Sequence, residues 1–313
     1  MIVNSLVSID DIKAAAARVA GVARRTPVLP TVTPGFFLKC ENFQPMGAFK
    51  QRGAYNMLAQ LQPDVRARGV ITYSSGNHGQ AVAMAAQILH APAVIVMPET
   101  APAVKVEGAR SYAAEVIFAG RTSSDRQRKA EELASARGLT IVPPFDHEWI
   151  IAGQGTVGLE ILEQCPEVNT VFVPCGGGGL ISGVSTAIKL TRPDVRVIGV
   201  EPAGAAKMST SLAAGEPVTL EKTASIADGL LTLRPGTLTF AHVRTYVDHV
   251  MTVSDEQIAA AVKWLFRTAR IVAEPSGAAT TAAILAHGAP RGTTVAIVSG
   301  GNVAPEDFAR YIV

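Results

Sequence analysis

The stretch Thr170-Val171-Phe172-Val173-Pro174-Cys175-Gly176-Gly177-Gly178-Gly179-Leu180-Ile181-Ser182 runs from a continuous apolar segment through four glycines into a helix-length segment. An apolar run without alternation is the pattern of a strand covered on both faces, as in a parallel sheet flanked by helices. The glycines leave no side chains between backbone and ligand, and the helix that follows starts with unpaired N–H groups at its positive end. That combination suits a phosphate. Tight turning alone explains one or two glycines, not four in succession.

Working outward, further strands are expected at 69–74, 93–97, 115–119, 140–142, 196–200 and 294–299. Helices are expected at 80–89, 123–137, 180–190 and 255–272, the last opened by a capping box of Ser254 and Gln257. Alternation of strands and helices gives an α/β class with open, mostly parallel sheets. Residues 203–248 carry mixed turn signals, among them Gly215-Glu216-Pro217 and Arg234-Pro235-Gly236, and read as an excursion between sheet elements.

At roughly 150 residues per domain, the 313 residues make two domains or one large one. Hydrophobic residues are 48% and charged residues 17%, so the chain has the means to build a core and is not disordered. A net charge of +2 without any Lys/Arg run excludes a nucleic-acid or anionic-membrane partner. The longest apolar stretch, 91–97, is too short to span a bilayer, and Asp10 and Asp11 come too early for a signal peptide, so a cytoplasmic protein is expected. Cys40, Cys165 and Cys175 are few and widely spaced in apolar segments, and read as reduced core thiols.

Ligands of α/β proteins bind beyond the carboxyl ends of strands. Besides the tetraglycine loop, two such ends carry polar loops: Ser74-Ser75-Gly76-Asn77-His78-Gly79 and Ser299-Gly300-Gly301-Asn302. In the first, Ser74, Ser75, Asn77 and His78 with the N–H groups of a helix start suit a carboxylate, His78 reading as a loop or core histidine rather than a catalyst. Leu180-Ile181 stand where a P-loop needs Lys-Ser/Thr, which argues against a nucleoside triphosphate. A dinucleotide site on Gly177, Gly179 and Glu201 is a closer miss, because Ser182 replaces the third glycine; it defines an alternative, a dinucleotide-dependent oxidoreductase. Lys50, beside Ala48 and Phe49, is a candidate Schiff-base lysine.

Six segments occur in one order: Lys39-Cys40-Glu41-Asn42-Phe43-Gln44, Gly47-Ala48-Phe49-Lys50 with Arg52-Gly53-Ala54, Ser74 to Gln80, the tetraglycine loop, Glu274-Pro275-Ser276-Gly277 and Ser299 to Asn302. Together they resemble the serine/threonine dehydratase and serine racemase family, over nearly the whole chain. The resemblance implies pyridoxal 5'-phosphate as cofactor on fold type II (tryptophan synthase β-like), with Lys50 as its covalent Schiff-base partner. It implies Gly176, Gly177, Gly178 and Gly179 for the phosphate, Asn77 for the ring hydroxyl and Ser299 for the pyridine nitrogen. It also implies a small domain at 53–146 set into a large one formed by 1–52 and 147–313, and a homodimer.

The activity so implied is an ammonia-lyase that deaminates L-serine or L-threonine to a 2-oxo acid. Its nearest rival is a racemase, for which Ser75 would serve as the second acid/base; a non-catalytic metabolite-binding relative is a third possibility. Departures are visible. Met46 and Ala48 flank Gly47, where the family usually has a hydroxyl on one side. Many relatives hold a divalent cation through positions matching Glu201, Ala205 and an acid two residues later, which here is Lys207; a lysine reaching Glu201 instead of a metal is expected. With so few residues after the Ser299 loop, the regulatory domain of biosynthetic threonine dehydratases is not expected here.

Overall fold

The computed structural model describes residues 5–74, 76–101, 103–121 and 123–313. In chain order the strands are β1 (Val28–Pro30), β2 (Phe36–Cys40), β3 (Val70–Thr72), β4 (Ala93–Met97), β5 (Glu115–Phe118), β6 (Thr140–Ile141), β7 (Val168–Pro174), β8 (Arg196–Pro202), β9 (His249–Val253) and β10 (Thr293–Val298). They form a six-stranded sheet, β1-β2-β10-β7-β8-β9, and a four-stranded sheet, β5-β4-β3-β6. Every pairing is parallel except the β1/β2 hairpin.

Helices cover both faces of the larger sheet, which is why β7 and β8 are apolar throughout. Val171 and Val173 point to one face, into a cluster with Val184, Ile188, Val197, Val295 and Ile297. Phe172 points to the other, with Leu38, Val200, Ala278, Ala282 and Val298. Successive side chains leaving on opposite faces is the period of two. The smaller sheet has the same construction, Ile95 and Met97 packing one way and Val94 and Val96 the other. The three cysteines are free and buried, and burial pushes the thiols of all three up to about 12. No described helix is long and apolar enough to cross a membrane.

Two expected elements shift. The helix after the serine loop starts at Asn77, not residue 80, because the loop's own Asn77-His78-Gly79 make its first turn. The Ser254 capping box is present, but the α-helix runs only Asp255–Trp264, followed by a π-helical turn Leu265–Ala269. Arg270 then turns left-handed and the amide of Ile271 folds back onto the Leu265 carbonyl. Apolar residues continue beyond the helix because Ile271 is buried as loop, not as helix. Strands β1, β2 and β9 were outside the expected set; β2 hides behind a charge, Lys39, in an otherwise apolar strand. The excursion over 203–248 lies between β8 and β9 and carries the helices Lys207–Ala214 and Thr237–Tyr246.

Candidate active site

β7 and β10 are neighbours, so the tetraglycine loop and the Ser299 loop leave the same sheet edge side by side. Residues 47–49 lie against the second of these. Ala48 bridges Gly300, the Phe49 amide donates to the Ser299 carbonyl at 3.1 Å, and the Gly301 amide donates to the Gly47 carbonyl at 2.9 Å. Gly47 has φ +79°, and a Cβ there would overlap Asn302 Oδ1 at 2.2 Å. Lys50 follows directly as the N-cap of the helix Gln51–Gln60.

That helix is fastened from behind by buried charge. The Arg52 guanidinium donates to both Glu41 oxygens at 2.8 Å and to Glu160 at 2.6 and 3.0 Å. Lys39 reaches Glu160 at 2.5 Å and the Thr26 carbonyl at 2.6 Å. Among the described residues, Lys50 donates from Nζ to the neutral Pro144 carbonyl at 2.6 Å, and the ammonium stands 5.3 Å from the centre of the Phe49 ring. Burial pulls its ammonium down to about 8.

Gly176, Gly177 and Gly178 are explained by what stands behind them. A Cβ on Gly177 would meet the Phe145 ring at 2.4 Å, one on Gly178 would meet Thr239 at 2.8 Å, and one on Gly176 would meet the Gly229 carbonyl at 3.2 Å. Gly178 also has φ +102°. The Gly177 carbonyl is held by Thr239 Oγ1 at 2.7 Å and by the Gly236 amide at 3.3 Å. Asp146 in turn accepts from the amides of Thr237, Leu238 and Thr239 at 2.9 to 3.0 Å, fixing the start of the Thr237–Tyr246 helix. The helix Gly179–Thr191 starts here with its first N–H groups free of intrahelical partners.

The serine loop arrives from the other sheet, beyond β3. Asn77 donates from Nδ2 to Glu274 Oε1 at 2.7 Å and accepts at Oδ1 from Asn302 at 2.8 Å; Asn302 also donates to the Met46 carbonyl at 2.8 Å. The Asn77 amide is thereby oriented, with one N–H and one lone pair to spare. Burial, then the nearby Asp228 charge, push Glu274 up to about 8 against the bond from Asn77. Ser74 Oγ accepts from the Gly76 amide at 3.3 Å. His78 turns inward: its Nε2 donates to the Val142 carbonyl at 3.1 Å, and burial pulls the ring down to about 3, so any ligand contact from His78 falls to its backbone N–H. Ser75 lies outside the described residues.

Lys50, the tetraglycine loop, Asn77 and Ser299 are thus linked through Pro144-Phe145, Glu274 and Asn302. Motif reasoning had no signal for Pro144, Phe145, Asp146 or Thr239. Glu274 and Asn302 stood in quoted motifs, but their grip on Asn77 is a tertiary contact. The dinucleotide alternative fails at Glu201, which is buried with both carboxylate oxygens taken by the amides of Met208 and Ser209, at 3.0 and 2.8 Å. Lys207 does reach Glu201, at 3.5 Å.

A family model described as pyridoxal-phosphate dependent enzyme matches residues 19–300. The chain belongs to this family. L-threonine ammonia-lyase of Thermotoga maritima is 45% identical over 314 residues, covering 98% of this chain and 78% of that one. Serine racemase of Schizosaccharomyces pombe is 42% identical over 97% of this chain and 96% of its own. Among solved structures, maize serine racemase superposes with a TM-score of 0.94 at 40% identity, covering 98% of this chain and 97% of that one. The family fixes fold type II and pyridoxal phosphate as cofactor. The residues present fit that group: an amine with a lowered pKa, an oriented amide, and a four-glycine loop in which a Cβ on Gly176, Gly177 or Gly178 would crowd its neighbours.

Proposed function

We propose that the chain is an ammonia-lyase that eliminates water from L-threonine or L-serine, the resulting enamine then taking up water to release ammonia and a 2-oxo acid. When bound, pyridoxal phosphate supplies an aldehyde that condenses with amines and a ring that receives the electron pair released at the substrate Cα. In the protein, Lys50 holds the aldehyde at rest and, once displaced by the substrate amine, takes the α-proton on Nζ. The N–H groups at Gly176, Gly177, Gly178 and Gly179 hold the phosphate, Asn77 the ring hydroxyl and Ser299 the ring nitrogen. The Ser74 to His78 loop takes the substrate carboxylate through its hydroxyls and its N–H groups. A hydroxyl at Ser299 stabilises a cationic ring nitrogen less than a carboxylate would, which favours prompt loss of the β-hydroxyl over amino transfer.

The observation that carries the proposal is the Lys50 amine, pulled down to about 8 at the junction of the two sheets, in a chain 45% identical to a threonine ammonia-lyase. A racemase reading is favoured by the serine racemase matches. One assay separates them: 2-oxo acid release across an amino-acid panel, with chiral chromatography of recovered serine. Keto acid without enantiomer exchange supports the lyase, and exchange without keto acid sinks it. Ser75→Ala should remove any exchange while leaving elimination from L-serine. The proposal includes a small domain at 53–146 inserted between 1–52 and 147–313, and a cytoplasmic homodimer, which sedimentation of the holoenzyme tests for subunit number.

A further inference from the structure

A second buried ammonium stands behind the glycine loop. Lys207 opens the helix Lys207–Ala214 with no exposed surface, and its Nζ donates to the carbonyls of Cys175, Ala205 and Leu230, each at 3.0 Å. Three N–H donors meet three acceptors, and Glu201 Oε2 completes the shell at 3.5 Å. The three carbonyls come from three segments: the residue preceding Gly176, the turn Ala203–Ala205 beyond β8, and the turn Asp228–Leu230. The last of these backs the loop, since the Gly229 carbonyl stands 3.2 Å from where a Gly176 Cβ would be, and Ser276 fixes the Gly229 amide at 2.8 Å. Four oxygens converging in a buried space repel one another unless a cation sits among them.

We propose that Lys207 is an internal cation that positions the glycine loop: its ammonium fills an oxygen cage, fixes the Cys175 carbonyl, and holds the root of the loop without help from a free metal ion. The role of the loop in cofactor binding rests on the function proposed above. Lys207 is a positioning residue, since it touches the loop's root and its backing turn.

The test uses two variants, Lys207→Met, which keeps length without charge, and Lys207→Ala, which opens the cage. Melting temperature of the apoprotein and affinity for pyridoxal phosphate are measured after chelation, in choline, ammonium, potassium, magnesium or calcium chloride. The wild type is expected to be indifferent to the salt cation. Lys207→Met is expected to melt about 10 °C lower and to bind cofactor about ten-fold more weakly in every salt. Lys207→Ala is expected to show the same losses in choline and to recover in ammonium or potassium, ions small enough for the cage. Wild-type behaviour of Lys207→Met, or equal recovery of Lys207→Ala in choline, overturns the proposal. Lower melting with intact cofactor affinity shows a merely structural lysine and overturns the positioning claim; failure of the wild type to bind pyridoxal phosphate would overturn instead the function on which it rests. If neither variant folds in any salt, the wild type decides: indifference to divalent ions supports a filled cage, and a divalent requirement overturns it.

Discussion

Lys50 must be neutral to attack an aldehyde, and burial pulls its ammonium down to about 8. At pH 7, a lysine titrating near 8 is neutral in about 9% of molecules, against about 0.03% for one near 10.5. The protein therefore raises the reactive fraction roughly 300-fold before any effect of cofactor binding. The apoprotein mixed with pyridoxal phosphate in a stopped-flow spectrophotometer, from pH 6 to 10, should capture it with a rate that climbs about ten-fold per pH unit at first and levels off above pH 8. Nα-acetyl-lysine run in parallel removes the cofactor's own titration, and Lys50→Ala gives the blank. Borohydride reduction and peptide mapping identify the lysine that reacted. A rate still rising ten-fold between pH 9 and 10, or label on another lysine, would refute the reasoning.

Gly178→Ala places a side chain at φ +102° and 2.8 Å from Thr239, adding about 1–2 kcal/mol of backbone strain and about 1–3 of overpacking. Cofactor titration should show weaker binding, and unchanged affinity and melting would show that the packing behind the loop does not demand glycine. Glu274 has a folded-state pKa pushed up to about 8, above its unfolded value, so it withdraws stability from the apoprotein as pH rises through that range. The advantage of Glu274→Gln in melting temperature should grow from pH 5 to about pH 8 and level off above it, and an advantage that shrinks over that window would contradict the assignment. Arg52→Met leaves Glu41 buried without its guanidinium and Glu160 without one of its two cations, and should cost about 3–5 kcal/mol in urea unfolding; a loss under 1 would mean that the carboxylates find other partners.

The buried parallel strands were legible because burial on both faces writes itself as an uninterrupted apolar run, as in β4, β7, β8 and β10. Strand β2 was not, because the charge of Lys39 is cancelled by Glu160, a residue 121 positions away that local sequence cannot supply. The far end of the Asp255 helix was misread for a related reason: Ile271 is buried by tertiary packing, so apolar spacing outlasts the helix itself. In the site, Lys50 and the glycines announced themselves by residue type. The groups that aim them did not. Thr239 and Asp146 are ordinary residues until the Thr237–Tyr246 helix is laid behind the loop, and Asn302 gains its role only when β10 and the serine loop meet.

The buried and half-buried cations show how the chain separates scaffold from chemistry. Arg52 is matched by Glu41 and Glu160, Lys39 by Glu160 and two neutral acceptors, and Lys207 by three carbonyls and Glu201. Each is surrounded by oxygen acceptors that engage its N–H groups and hold it in place. Lys50 differs: among the described residues it has no carboxylate partner, only the Pro144 carbonyl and the Phe49 ring. A buried ammonium with a single neutral acceptor favours its uncharged form. Adding a carboxylate there, as in Phe49→Glu, whose half-buried ring is centred 5.3 Å from Lys50 Nζ, should raise the amine toward its ordinary value and slow cofactor capture at pH 7, with circular dichroism checking that the fold is kept. Capture as fast as in the wild type, with the inflection still near 8, would mean that local charge does not set the reactivity of Lys50.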